Sequence, residues 1–268
     1  TTVSYLMEAM LRHAGLSAGV IGTVTYRHGR HEVPASRTTP ESLDLQRILA
    51  DMRHHGVTHV VMEVASHGLD LHRVEACWFD VAAFTNLTQD HLDFHGDMER
   101  YWASKKSLFT RILPLGPKGH YARAVINRDD PRGARLVEEI AGNRPTLTFG
   151  LAPDNDIWPD VKRSDLTGLE AVLHTPQGPL AMTSPLVGRH NLENILAATG
   201  CGIALDLPLD AIQSGIAATT AVPGRLEPVA DPGGRFIYVD YAHTPDALEK
   251  ALAALRPLPI TNTNRPLR

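Results

Sequence analysis

Glu63, Ser66 and His67 close the run Met62-Glu63-Val64-Ala65-Ser66-His67-Gly68-Leu69-Asp70-Leu71-His72-Arg73, in which an apolar stretch ends in an acid, a hydroxyl, an imidazole and then a base. An acid late in an apolar strand must find a partner or a metal. In a doubly wound sheet, ligands sit beyond the carboxyl ends of strands, so these polar groups face a crevice. Asn86, Asp90, His91, Asp93 and His95 follow the next apolar run and offer oxygen and imidazole donors suited to a divalent cation. By itself this set serves a metallohydrolase as well as a ligase, or a plain polar loop. Lys105 and Lys106 lie on a helical pattern whose buried side is marked by Tyr101, Leu108 and Phe109. Either lysine is solvated, or it turns into the crevice, where it would pair with carboxylates or be chemically changed.

Three further groups have the residue types to bind a nucleotide. Thr1-Thr2 opens a helix, whose free N–H groups form an anion site or need only a cap. Asn191 and Asn194, three apart, share a helix face and could hydrogen-bond one planar group such as a base. Asp240, at the end of an apolar strand in Val239-Asp240-Tyr241-Ala242-His243, could take a ribose hydroxyl. Each of these also reads as a cap or turn.

The elements that must position these groups alternate. Val3, Leu6, Met7, Met10 and Leu11 mark one helical face. A strand is expected over 19–25, then a helix to about 55 that begins with a hydroxyl cap from Thr38-Thr39, Pro40 in the first turn and Glu41 at the positive end. Strands buried on both faces are expected over 57–64 and 81–87. A helix over 98–113, a strand over 124–127, a helix over 131–141 and a strand over 146–149 continue the pattern, which argues for α/β with right-handed crossovers. Between 155 and 184 short alternating runs broken by Gly and Pro read as antiparallel hairpins. Helices over 191–205 and 209–218, a buried strand over 236–239 and a helix over 245–255 complete the chain, with a domain boundary near 223–234.

Composition bounds the function. The 268 residues are 43% hydrophobic and 21% charged, enough for one large core, and a net charge of −4 gives no overall field to hold nucleic acid or an anionic membrane. No apolar run reaches the ~20 residues of a membrane span, and Cys77 and Cys201 are too far apart to suggest a disulfide or zinc framework. A reducing, cytoplasmic setting is expected. The chain opens directly on a helical pattern, and 257–266 is polar and broken by Pro, so it reads as an internal piece of a longer protein.

Taken in order, TTVSYL, TTPESLDLQ, MEVASHGLDLHRV, FTNLTQDHLDFHGDMERYWASKKSLF, VINRDD, GRHNLENILAA, PGRLE and VDYAHTPDALEKAL resemble the Mur ligase family, MurE type, over about residues 1–256. The resemblance implies a P-loop ATPase-like central domain over 1–223: a mostly parallel sheet flanked by helices, with a small antiparallel β appendage. It also implies the start of a Rossmann-like C-terminal domain over 224–268. Implied too is an ATP-dependent, amide-forming reaction through an acyl phosphate. It joins an amino acid, meso-diaminopimelate by overall resemblance, to UDP-N-acetylmuramoyl-L-Ala-D-Glu in peptidoglycan synthesis. The cofactors implied are ATP and Mg2+. Glu63, His91, Thr1 and a carbamylated Lys105 would hold magnesium, with Glu63, His91 and Lys105 catalytic. Thr38, Thr39, Ser66 and Arg73 would bind the muramoyl peptide, and Thr1, Asn86, Asn191, Asn194, Arg225, Asp240 and His243 would bind ATP. A monomer free of nucleic acid and membrane is implied.

Departures from the family pattern also stand in the sequence. The glycines and lysine of the P-loop and the uridine-binding domain are not in this chain, Ala65 stands where the family often has serine, and His190 where Phe is common. The isolated chain is therefore expected to bind ATP poorly. The rival readings are a divalent-metal hydrolase built on Glu63, His91, Asp93 and His95, and a non-catalytic gene fragment.

Overall fold

The computed structural model describes residues 1–243 and 245–256; the polar stretch expected to be a ragged terminus, 257–268, and Thr244 lie outside the described residues. Helix α1 (Thr2–His13) forms on the expected face, with Leu6, Met10 and Leu11 fully buried. It leads through Gly15, at φ +73°, to β1 (Ala18–Ile21), all four residues of which are buried.

The expected strand over 19–25 breaks at Gly22 and turns back on itself. β2 (Thr25–His28) and β3 (His31–Pro34) form a hairpin antiparallel to β1, and α2 (Ser42–His54) returns the chain to β4 (His59–Met62), parallel to β1. The order is β3-β2-β1-β4. Arg27 of β2 donates to Glu8 of α1 at 2.9 Å, which fastens the hairpin to the helix. The expected hydroxyl cap on α2 is not made: its N-cap is Glu41 without a side-chain bond, and Pro40 precedes the helix. β4 is not buried on both faces either. It pairs with β1 alone among the described strands, and Val60 is 40% exposed, so an apolar run here marks an edge rather than the middle of a sheet.

After the short α3 (Ser66–Asp70), β5 (Val81–Phe84) opens a second, all-parallel sheet in the order β5-β6-β7. Its crossovers are α4 (Leu92–His95), α5 (Met98–Ser107) and α6 (Pro131–Ile140), and its other strands β6 (Arg123–Asn127) and β7 (Thr146–Phe149). The helix expected over 98–113 is not uniform. α5 gives way at Leu108–Ile112 to a π-helical turn, closed by the Leu113 N–H on the Leu108 carbonyl at 2.8 Å.

The antiparallel appendage is present as β8 (Trp158–Asp165), β9 (Gly168–His174) and β10 (Leu180–Ser184). α7 (Arg189–Ala204) and α8 (Leu209–Ala218) then pack with α1 around one core that includes Leu6, Leu196 and Ile212. Gly215 permits the approach of α8, since a Cβ there would lie 2.6 Å from the Met10 Cα. A second core joins α2, α5 and the faces of β5 and β6 through Leu45, Phe84, Trp102 and Phe109. Cys201 lies in the first core and Cys77 in the second, too separate to be bridged.

β11 (Glu227–Val229) and β12 (Ile237–Val239) make an antiparallel ribbon, followed by α9 (Pro245–Leu255). The expectation of a buried strand over 236–239 fails: Ile237 is 39% and Val239 49% exposed, because the ribbon has no third strand beside it among the described residues. No described helix is long and apolar enough to cross a membrane.

Candidate active site

Glu63 follows β4, and its carboxylate is enclosed by donors from three residues, two at the start of α1 and one in the β1–β2 turn. The Thr1 hydroxyl donates to Oε2 at 3.0 Å, the Ser4 hydroxyl to Oε1 at 3.3 Å, and Thr23 gives its amide to Oε1 at 3.2 Å and its hydroxyl to Oε2 at 2.8 Å. Burial acts to raise this carboxyl, while the bonds from Thr23 act to lower it. Gly22 has to be glycine for this arrangement, as a Cβ would stand 2.4 Å from Oε1. The break in the first strand and the placement of Thr23 are thus consequences of a carboxylate 40 residues further on. Arg225 reaches into the same group, with Nη2 3.3 Å from the Thr1 hydroxyl.

The four residues assigned to the muramoyl peptide sit close by, but they are not equally available. Thr38 bonds Thr23, hydroxyl to hydroxyl, at 3.2 Å. Thr39 is 1% exposed; its hydroxyl donates to the Glu63 carbonyl at 2.9 Å and accepts from the Ala65 amide at 2.8 Å, so it braces the β4–α3 turn. Arg73 is buried against Glu41, Nη2 to Oε1 2.7 Å, and donates to the Thr39 carbonyl at 3.1 Å. Ser66 is buried too, 2.8 Å from His95 Nε2, and the other ring nitrogen of His95 lies 3.2 Å from Asp70. Thr39, Arg73 and Ser66 therefore stand as a scaffold behind Thr38.

Lys105 and His91 form a second corner. His91 sits at φ +56°, an uncommon left-handed conformation for a residue other than glycine, with its amide donating to Asp90 at 2.8 Å. Its ring packs edge-on to His67 at 4.8 Å and to Tyr101 at 5.9 Å. Burial, then the neighbouring His91 and His95, lower the pKa of His67. The Lys105 ammonium lies 5.2 Å from the centre of the Tyr101 ring, with no carboxylate in ion-pair contact among the described residues. Burial pulls its pKa down against the opposing pull of Asp90 and Asp130. Lys106, by contrast, points away and pairs with Glu139 at 2.8 Å.

Two of the nucleotide-type residues, Asn86 and Asn194, line a small cleft of about 120 Å³ together with Thr85, Phe149, His190 and Glu193. Asn86 is held in place from below. Asp130, capping α6, accepts the Leu87 amide at 2.9 Å, and Asn127 donates to the Thr85 carbonyl at 2.7 Å. Asn191 and Asn194 do share a face, bonded at 3.3 Å, but Asn191 is 1% exposed and donates to the Val187 carbonyl, so only Asn194 lines the cleft. Asp240 accepts the amides of Leu226 at 2.8 Å and Ala242 at 2.9 Å, which fixes the turn behind Arg225. His243 faces the Tyr241 carbonyl at 3.0 Å.

Glu63, Thr1 and Arg225 are thus brought together, as is Asn86 with Asn194, while His91 and Lys105 each border the Tyr101 ring. No hydrogen bond, ion pair or ring contact joins Glu63 to His91 among the described residues. The hydrolase centre of Glu63, His91, Asp93 and His95 is not assembled: His95 is committed to Ser66 and Asp70, and the four do not converge as metal ligands. Residues the sequence reading passed over are Thr23, Ser4 and Asp130, and Tyr101 was read only as a buried helix residue; of the three, only Asp130, before Pro131 in a capping position, carried a local signal.

Comparison with known proteins gives this geometry a context. The profile of the Mur ligase middle domain matches residues 1–202, and that of the Mur ligase glutamate ligase domain matches 224–265. The chain is 48% identical over 252 residues to a UDP-N-acetylmuramoyl-L-alanyl-D-glutamate--2,6-diaminopimelate ligase of Geobacter metallireducens, covering 94% of this chain and 49% of that protein. It is 49% identical over 259 residues to the ligase of the same name from Geobacter sulfurreducens, covering 96% and 50%. A solved structure of a ligase of that name superposes with a TM-score of 0.82 at 31% identity, over 96% of this chain and 52% of the other. MurF from Acinetobacter baumannii, at 23% identity and a TM-score of 0.75 over 97% and 52%, shares the fold. The chain spans about half the length of the curated relatives it matches.

Proposed function

The chain belongs to the Mur ligase family, and from that premise we propose that it carries the central site of an ATP-dependent ligase that joins 2,6-diaminopimelate to UDP-N-acetylmuramoyl-L-alanyl-D-glutamate. The observation that carries the reading is Lys105. A desolvated ammonium without an ion-pair partner is costly, and the Tyr101 ring with the more distant Asp90 and Asp130 offsets that cost only in part, since the pKa stays lowered. A lowered pKa leaves more of the amine neutral, and a neutral amine is what adds carbon dioxide to become a carbamate, turning a cation into an oxygen ligand.

The donors present fit magnesium. Glu63 with the hydroxyls of Thr1 and Thr23 is a hard oxygen set, and magnesium needs only one or two protein carboxylates because it keeps water and phosphate ligands. Glu63, His91, Thr1 and carbamylated Lys105 would hold it. Bound there, the ion offsets charge between the phosphate and the substrate carboxylate.

The rest follows from the chain's own residues. Phosphoryl transfer from ATP to the substrate carboxylate gives an acyl phosphate and ADP; attack by the amine then forms the amide and releases phosphate and a proton. Arg225, on the Thr1 hydroxyl, supplies positive charge on the phosphate side. Asn86 and Asn194 offer amides to a planar base, with His190 and Glu193 completing the wall. Thr38 presents a hydroxyl to the muramoyl peptide, oriented by Thr23 and backed by Thr39, Ser66 and Arg73. Asp240 and His243 hold the turn that aims Arg225. We place the reaction in the cytoplasm, where ATP and nucleotide-linked precursors are available, and assign the enzyme as a monomer.

The test is phosphate release by a chain extended to the length of its relatives. ATP should be consumed only when the UDP-muramoyl dipeptide and diaminopimelate are both present. Release of phosphate with neither, or cleavage of the dipeptide without ATP, would overturn the assignment.

A further inference from the structure

Away from this site, the hairpin β2–β3 and the C-terminal end of α2 bring three histidines and an aspartate together. His28 Nε2 lies 3.0 Å from Asp51 Oδ2, and His55 Nδ1 lies 3.4 Å from Asp51 Oδ1. His28, Asp51 and His55 form the one set of three His, Cys, Asp or Glu residues among the described residues whose ligand atoms all fall within 4.8 Å of one another. His31, paired with His28 across the hairpin, stacks its ring 5.1 Å from His28 and lies 4.8 Å from His55.

We propose that His28, Asp51 and His55, with His31 as a fourth ligand, form a binding site for a zinc-class transition metal that ties the hairpin to α2. Bonds of about 2.0–2.1 Å at tetrahedral angles place ligand atoms about 3.3 Å apart, and the two distances to Asp51 already bracket that value. Metal binding through His55 Nδ1 would release that atom from its 2.9 Å contact with the Asp51 main-chain carbonyl. Two features beyond proximity favour a cation. The site stands at the C-terminal end of α2, where the helix dipole favours positive charge. And His28 is 7% exposed, so its ring is fixed rather than free in solvent. Three imidazoles with a single carboxylate suit zinc, nickel or copper, whereas magnesium prefers a set dominated by oxygen.

Such a clip would act on a part of the fold that otherwise has little holding it. β3 is exposed along its whole length and pairs with β2 alone. The same segment leads directly to Thr38, so occupancy would steady the loop that presents that hydroxyl.

Zinc titrated calorimetrically into the chain, with excess magnesium present, should give one saturable site, and zinc should raise the midpoint of thermal unfolding. His55→Ala, at an exposed position, and Asp51→Asn should each weaken binding beyond the roughly 10–100-fold loss typical of removing an outer-shell partner. His91→Gln should leave it unchanged. Cobalt should give the intense visible absorption of a four-coordinate site, lost in His55→Ala. Absence of saturable binding, binding that survives both His55→Ala and Asp51→Asn in variants of native circular dichroism, or binding lost only in His91→Gln would overturn the proposal.

Discussion

Replacing Thr23 by Val removes one hydroxyl from the Glu63 cradle and little else. The side chain keeps its shape, and the Thr23 amide still donates to Oε1; what goes is the 2.8 Å bond to Oε2 and the contact with Thr38. A hydrogen bond to a charged group is worth about 1.5–3 kcal/mol, and Glu63 is only 17% exposed on its side chain, so solvent screens little of it. Losing this bond moves the Glu63 pKa upward, because the bond favours the ionised form. The direction of the pH effect follows. Because the Thr23 bonds lower the Glu63 pKa in the fold, their stabilisation is fully present above the unfolded value of about 4.3 and is lost as pH falls through the folded pKa. Thr23→Val should therefore cost about 1.5–3 kcal/mol at pH 7 and, once Glu63 is protonated, only the roughly 0.5–1.5 kcal/mol of a neutral bond. Urea unfolding of wild type and variant at pH 7 and at a pH below the midpoint found by titrating Glu63 in the folded protein measures both. Equal losses at the two pH values would show that the cradle does not act on the charge of Glu63, and the reasoning about the site would fall with it.

Three other substitutions probe separate parts of the structure. Lys105→Ala should leave stability at pH 7 nearly unchanged or slightly higher by urea unfolding, since an unpaired buried cation is removed, while abolishing ligation in a chain of the relatives' length. Short-chain carboxylates should restore part of that ligation, and failure to do so would count against the carbamate. Asp130→Ala takes away a helix cap and the acceptor of the Leu87 amide, an expected loss of about 2–4 kcal/mol in denaturant unfolding, with nucleotide affinity falling as Asn86 shifts. Gly215→Ala should cost about 1–3 kcal/mol in the same assay, despite the better helix propensity of alanine, because the added methyl meets the Met10 backbone at 2.6 Å.

Periodicity made much of this fold legible. The apolar face of α1 and the bounds of α8, α9 and β7 follow from spacing and from Gly or Pro at the ends, and the ordered motifs placed Glu63, His91 and Lys105 at strand ends or on the following helix. The failures share a cause. The turn at Gly22 is imposed by a carboxylate from another strand, Thr39 gives up its capping role for the Glu63 carbonyl, and Ser66 and Arg73 are drawn inward by His95 and Glu41. Such partnerships between distant residues leave no local pattern. The edge position of β4 and the exposure of β12 depend likewise on which strands come to lie beside them, while hydropathy along the chain records only that the runs are apolar.

The π-helical turn after α5 bears on how this region can tolerate changes in length. A turn closed from residue 113 to residue 108 holds one residue more than an α-helical turn. Deleting a single residue within 108–112 would let the backbone relax into an ordinary helix with its hydrogen bonds intact. The two ends of the helix would then be rotated against each other by about 100°. With Phe109, Ile112 and Leu113 anchored in the core, the rotation would fall on the N-terminal part and carry Lys105, together with Tyr101 on the same helix, away from Asp90 and Asp130. Of all edits to α5, the one that the backbone accepts most easily is thus the one that most completely re-aims the lysine.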